Sequence, residues 1–383
     1  MDERLEALVG DVQRGALSRR GFLERAGALG LTSGAALALL NEDPAEARGR
    51  RPRRPSARND VVAPSKWQRG RGWGWVWGSD DEVGALNELS PALTRKALRY
   101  AKDRVYDLGM RYDRRTFKFP GHADGEIVTY RSPQGLLLQR DRPEVVGPGN
   151  SLVTTYASCL NSISDNVATQ IDGLGHIYEG RDPHAYNDFK AREIVGDYGV
   201  VKLGVETIPP IVAPATLIDV AGYLRKDALP AGYAIGADLL RETLAHQKVD
   251  VEPLDVVLVR TGTGGIYLKG DLVGANQDEL AEHDSAGITL GAARYLVEQK
   301  AALMIGSDTS GLEVVPPTEQ LSGGTSFNPV HVYLLVRQGV HILEFNNLER
   351  LARDNVYKFT YVLTPNKIVG NVAGTVQRPI ALA

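Results

Sequence analysis

From Val200 onward, short apolar runs alternate with stretches whose leucines repeat at helical spacing. Thr216-Leu-Ile-Asp-Val220 and Asp255-Val-Val-Leu-Val-Arg260 are short and rich in β-branched residues, and the second is apolar enough to be a strand buried on both faces. Ala302-Leu-Met-Ile-Gly306 reads as another buried strand. Between these runs, Leu239, Leu240 and Leu244 share one face of a helix over Asp238–Gln247, and Thr289 caps a helix running to Lys300. Asn328 as cap and Pro329 at the first position predict another helix, which Gly339 stops, and Val340–Glu344 follows as a strand. Upstream, Ser90 caps a helix over Pro91–Ala101, and Val105 opens a strand. Residues 116–150, rich in Gly, Pro and Arg, read as loops, and Ser151–Leu160 as a strand. Strand, loop, helix, strand predicts an α/β layer.

The first segment stands outside this pattern. Ser18-Arg19-Arg20-Gly21-Phe22-Leu23 is a twin-arginine export motif, and Ala26–Leu40 is an apolar run too short and too rich in Gly and Ala for a stable membrane span. Ala45-Glu46-Ala47 supplies a cleavage site, so residues 1–47 read as a signal peptide handled by the twin-arginine export machinery, with a periplasmic or extracellular destination. Residues 48–66 are rich in Arg and Pro and read as a disordered linker, leaving 67–383 as a single folded domain. Removing 1–47 takes out more acidic than basic side chains and leaves the remainder formally neutral, which gives no reason to expect nucleic acid as a partner. The single cysteine, Cys159, excludes an internal disulfide and reads as a small buried residue.

The candidate chemistry centres on Asn166-Val-Ala-Thr-Gln-Ile-Asp172-Gly-Leu-Gly-His176. If Thr169–Asp172 is extended, Gln170 and Asp172 project to one side. Gly173 and Gly175 allow a tight turn that returns His176 to the same region. Converging oxygen and nitrogen donors of this kind build metal sites, and the amide-rich set favours a hard ion. The bland alternative is a buried polar turn in which Asp172 caps backbone amides. Trp73, Trp75 and Trp77 alternate in a Gly-rich stretch and read as a packed aromatic anchor, with a substrate-pocket wall as the alternative. His184 reads as a solvated loop histidine, and Thr261–Gly265 as a turn whose backbone passes close to the site.

Thr169, Asp172 and His176 match the pattern His-x-Gly-Thr-His-x-Asp-x-x-x-His, and the stretch resembles the signature of the cyclase family of metal-dependent hydrolases, which includes bacterial kynurenine formamidases and isatin hydrolases. Gln170 stands where a histidine is usual, Asn166 replaces the first histidine and Ala168 the glycine. Further blocks resemble the family: Trp77–Asn87, Ser307–Pro316, and His331 to Glu344 followed by Asn347-Leu348. The resemblance implies a swivelling β/β/α architecture, a mixed sheet or partial barrel with outer helices, assembled as a homodimer or homotetramer. It implies a divalent metal, Mn or Zn, held by Gln170, Asp172, His331 and Glu344 with Asn166 assisting, and His176 as proton shuttle. The implied reaction is hydrolysis of a small amide, lactam or lactone of the aryl formamide type. The alternative is an exported relative of weak activity that captures a small ligand; retention of His176 argues for catalysis.

Overall fold

The computed structural model describes Asp11 and residues 63–383, apart from 114–115, 118–121, 124, 163–166, 270–276 and 374. The export segment, Asp11 excepted, and residues 48–62 lie outside the described residues. Contacts group the chain into Met1–Asp60 and Val61–Ala383, and the second unit carries everything that follows.

Among the described residues, nine strands form one mixed sheet: β1 (Val105–Asp107), β2 (Gln170–Asp172), β3 (Ile211–Asp219), β4 (Val256–Arg260), β5 (Met304–Ser307), β6 (Ile342–Glu344), β7 (Lys358–Leu363), β8 (Thr375–Val376) and β9 (Ile380–Leu382). Their order across the sheet is β1-β9-β7-β3-β4-β5-β6-β2-β8. The middle four, β3-β4-β5-β6, run parallel, and every other neighbouring pair is antiparallel. All five residues of β4 are buried, as a strand covered on both faces requires. The four parallel strands end in Asp219, Arg260, Ser307 and Glu344, so polar and charged side chains collect at one edge of an otherwise apolar sheet. Crevices beyond the carboxyl ends of parallel strands are where α/β sheets place ligands.

Some helices start where a side-chain cap dictates. Pro91–Leu98 is capped by the Ser90 side chain and packs on β3, three residues shorter than the pattern suggested. Ala237–Gln247 buries Leu240 and Leu244, with Leu239 half-buried, and Thr289 caps Leu290–Arg294. That helix and the one starting at Pro329 both continue as π-helical turns, Tyr295–Gln299 and Val332–Gln338. Gly339, at φ 62°, ends the latter.

The stretch before the central motif differs from the sequence expectation. Residues 116–150 are not all loop: they contain a strand, Glu126–Arg131, and helices Pro133–Gln139 and Pro143–Val146. Ser132 caps Pro133 as Ser90 caps Pro91, a signal outweighed in the sequence by the surrounding Gly, Pro and Arg. Ser151–Leu160 is not one strand either; only Ser158–Ser162 is, paired antiparallel with Glu126–Arg131 in a separate two-stranded ribbon. Cys159 lies there and is exposed, contrary to expectation. Its apolar neighbours suggested burial, but a two-stranded ribbon offers little second layer, and Val128, Tyr130 and Leu160 are exposed with it.

The tryptophans act as anchors. Trp67, Trp73 and Trp75 donate their indole N–H groups to the carbonyls of Val297, Ala302 and Val336, at 2.6, 3.1 and 2.7 Å. Gln338 Oε1 accepts from the Trp73 and Gly74 amides. The segment is thereby fixed along the two π-helical turns, and burying an indole satisfies both its apolar face and its one donor.

Candidate metal centre

β2 and β6 build the floor of the site. Their antiparallel register places Glu344 opposite Gln170 and Ile342 opposite Asp172. Opposed residues share a face, and positions two apart on one strand share it too, so Gln170, Asp172 and Glu344 project together. β2 is held at both ends. Thr169 Oγ1 donates to the Phe345 carbonyl at 2.5 Å and accepts from the Met110 amide at 2.7 Å. The Gly173 amide donates to the Val372 carbonyl at 2.9 Å. A Cβ at Gly173 would stand 2.5 Å from that carbonyl oxygen, so the glycine is required for close approach.

His331 arrives from the first turn of the helix that precedes β6. Its Nε2 lies 3.4 Å from Glu344 Oε1 and 3.8 Å from Asp172 Oδ2. One ligand atom each from Asp172, His331 and Glu344 falls within a 4.8 Å span, and all three residues are buried. Gln170 joins them by donating its side-chain N–H to Glu344 Oε2, so here its amide supports a carboxylate. The His176 amide donates to the Gly173 carbonyl, closing the turn, and its half-buried ring sits 6.3 Å from that of His331, centroid to centroid. Asn166 lies outside the described residues.

Several expectations are adjusted around this site. Asn328 makes no side-chain cap; the carboxylate of Glu313 takes that place, accepting from the Val330 and His331 amides at 3.1 and 3.0 Å. Glu313 Oε1 also stands 2.5 Å from His331 Nδ1. Nothing in the spacing of Glu313 and His331 announced this contact, although Glu313 lies in the Ser307–Pro316 block that resembles the family. His184 is half-buried, bridged through its backbone to Glu179 and Lys190, with its ring edge-on to Trp75. Thr261–Gly265 wraps the buried carboxylate of Asp308, which accepts from the amides of Thr261, Gly262 and Gly264. His341, buried behind β2, places Nδ1 2.9 Å from the Asp172 carbonyl, and burial lowers its pKa.

Burial and mutual charge shift the titration of the cluster. Burial pushes the Glu344 carboxyl well above the usual range, the Asp172 charge raises it further, and His331 and Gln170 act in the opposite direction. Burial works against a charged His331, yet hydrogen bonds and charges from Glu313 and Glu344 outweigh it and hold the imidazole pKa well above its ordinary value. Three buried carboxylates, Asp172, Glu313 and Glu344, thus surround one imidazole. Two carboxylates with one imidazole form a donor set that binds a divalent ion.

The Cyclase family model matches residues 106–314, more than half of the chain. The chain belongs to the cyclase family. His331 and Glu344 lie beyond the matched region, and the β2–β6 pairing brings them to Asp172 within it. A crystal structure of a novel cyclase is similar at 24% identity, covering 82% of this chain and all of its own, with a TM-score of 0.67. That likeness establishes the family's mixed-sheet α/β architecture. Isatin hydrolase A from Ralstonia solanacearum is similar at 20% identity over 73% of this chain and 92% of its own, with a TM-score of 0.49. A predicted metal-dependent hydrolase from Bacillus stearothermophilus is similar at 19% identity over 73% and 97%, with a TM-score of 0.41. No curated protein matches the chain.

Proposed function

We propose that this cyclase-family chain is a metal-dependent hydrolase of a small amide, lactam or lactone of the aryl formamide type. The observation that carries this reading is the buried triad Asp172, His331 and Glu344, with ligand atoms within 4.8 Å of one another. When bound there, a divalent metal supplies Lewis-acid activation of water and of the substrate carbonyl. Two carboxylates and one imidazole favour Mn over Zn. Gln170 keeps the second oxygen of Glu344 engaged, and Asn166 is the remaining candidate donor. His176 takes a proton from the attacking water and returns it to the departing nitrogen or oxygen, a task that suits an imidazole near neutral pH. Its ring is half-buried beside His331, whereas the triad is buried, so the shuttle is more open to substrate than the ligands are.

The wider reading is that residues 1–47 direct export by the twin-arginine pathway to the periplasm or beyond, that 48–66 form a linker, and that 67–383 act as a homodimer or homotetramer. Its support is the Arg19-Arg20 motif, the apolar run and the Ala45-Glu46-Ala47 site in the order export requires.

The test is metal analysis of protein purified without chelator, with turnover measured on a panel of N-formyl anilines and lactones. Wild type should carry a stoichiometric divalent metal and hydrolyse a member of the panel. Asp172→Ala should lower both to near background. An Asp172→Ala protein that keeps its metal and its melting temperature would place the centre elsewhere.

A further inference from the structure

We infer that Glu313 is a positioning residue: it fixes which nitrogen of His331 faces the metal centre, and it ties that choice to the start of the helix that carries the histidine. The inference rests on reading Asp172, His331 and Glu344 as a metal centre.

The helix begins at Pro329, which has no N–H to satisfy. Val330 and His331 follow with amides that have no partner within the helix. Asn328 supplies no side-chain acceptor, and Glu313, fifteen residues upstream of it in the chain, supplies two. Oε2 accepts from the Val330 amide, and Oε1 accepts from the His331 amide. The carboxylate is therefore pinned by two backbone donors and cannot rotate away from the imidazole. Oε1 also faces His331 Nδ1 at 2.5 Å.

An ionised carboxylate is acceptor-only, so the nitrogen beside it carries the proton. Both oxygens already accept backbone N–H groups, so the side chain meets Nδ1 as an acceptor. Nδ1–H is thereby committed to Glu313, and Nε2 is the nitrogen turned to Glu344 and Asp172, at 3.4 and 3.8 Å. A ligating imidazole needs its lone pair on the side of the ion, and partners on the far nitrogen set this tautomer. Glu313 is 2% exposed, so water does not compete for the contact.

The experiment uses the full-length protein labelled with 15N in its histidine rings. In the metal-free wild type, the ring pattern should show His331 Nδ1 carrying a proton that is hydrogen-bonded to Glu313. Glu313→Leu removes every acceptor, and Glu313→Gln keeps a carbonyl that can face Nδ1. Affinity for Mn, measured by titration calorimetry, should fall about 10–100-fold in Glu313→Leu and be partly rescued in Glu313→Gln. A purely structural cap predicts lower melting temperatures with an unchanged ring pattern and Mn affinity within about threefold of wild type, and that result overturns the assignment. A wild-type ring that is neutral with the proton on Nε2 also overturns it, even if Glu313→Leu does not fold. The ring pattern is read without metal, so its failure is separable from failure of the hydrolase reading, which shows as wild type without metal or turnover.

Discussion

At the scale of single residues, the proposed proton shuttle stands apart from the proposed metal ligands. Asp172, His331 and Glu344 converge with buried side chains, whereas His176 stands one ring away and half-open. His176→Ala should keep its metal while kcat and kcat/KM fall together by about 10²–10⁴-fold. Metal stoichiometry and kcat from one preparation decide this; parallel loss of both would make the imidazole a ligand. A buried acid away from the cluster shows how desolvation stores a pH dependence. Asp284 accepts from the Ser310 amide at 2.8 Å and from its hydroxyl, yet desolvation dominates and pushes its pKa up to about 6, from 3.8. Between those values the folded chain keeps a proton that the unfolded chain has released. Its contribution is therefore present at low pH and is lost as pH rises through the folded-state pKa, by about 3 kcal/mol at most. Urea unfolding of wild type and Asp284→Asn across this range should show wild type losing stability relative to the variant as pH rises. A constant difference would mean that Asp284 is not the group responsible.

Among elements, β2 is three residues long and carries two of the site's side chains, so its placement depends on its neighbours. β6 and β8 flank it, and the Val372 carbonyl meets it at Gly173. Gly173→Ala would press a methyl against that backbone oxygen, which has no rotamer by which to yield. We expect a loss of about 1–3 kcal/mol in stability, together with weaker metal retention, because Asp172 is the adjacent residue. Gly149 is the control: it has open space around its Cβ direction and no positive φ, so Gly149→Ala should be neutral or slightly stabilising. Equal melting temperatures for the two variants would show that β2 tolerates displacement. The helix from Pro329 depends in the same way on a distant group, since its first amides are satisfied by Glu313 and not by the adjacent Asn328.

For the whole molecule, the prediction concerns where the folded chain goes. Twin-arginine recognition reads the paired guanidinium groups, and lysine keeps the charge without the planar fork. Replacing Arg19 and Arg20 by Lys should leave the precursor inside the cell, visible by fractionation as a longer, unprocessed band. Unchanged export of the double variant would remove the twin-arginine reading while leaving the metal centre untouched. The two conclusions rest on different parts of the chain and fail independently.

What the sequence determined by itself was local. Apolar runs at 216–220, 255–260 and 302–306 overlap β3, β4 and β5, because continuous apolar burial leaves few alternatives to an inner strand; β3 begins earlier, at Ile211, and Val220 opens a helix. Ser90 and Thr289 became caps because their acceptor lies within reach of amides three residues on. Gln170 and Asp172 shared a face because a strand alternates. Tertiary structure decided what adjacency could not. It set Glu344 opposite Gln170 in register, turned His331 onto Asp172, and recruited Glu313 as cap and imidazole partner in place of Asn328. It also left the ribbon carrying Cys159 without a covering layer. Backbone propensity acts over a few residues, whereas a buried charge accepts whatever donor the packed fold brings within hydrogen-bonding distance, and that choice is not written in the spacing along the chain.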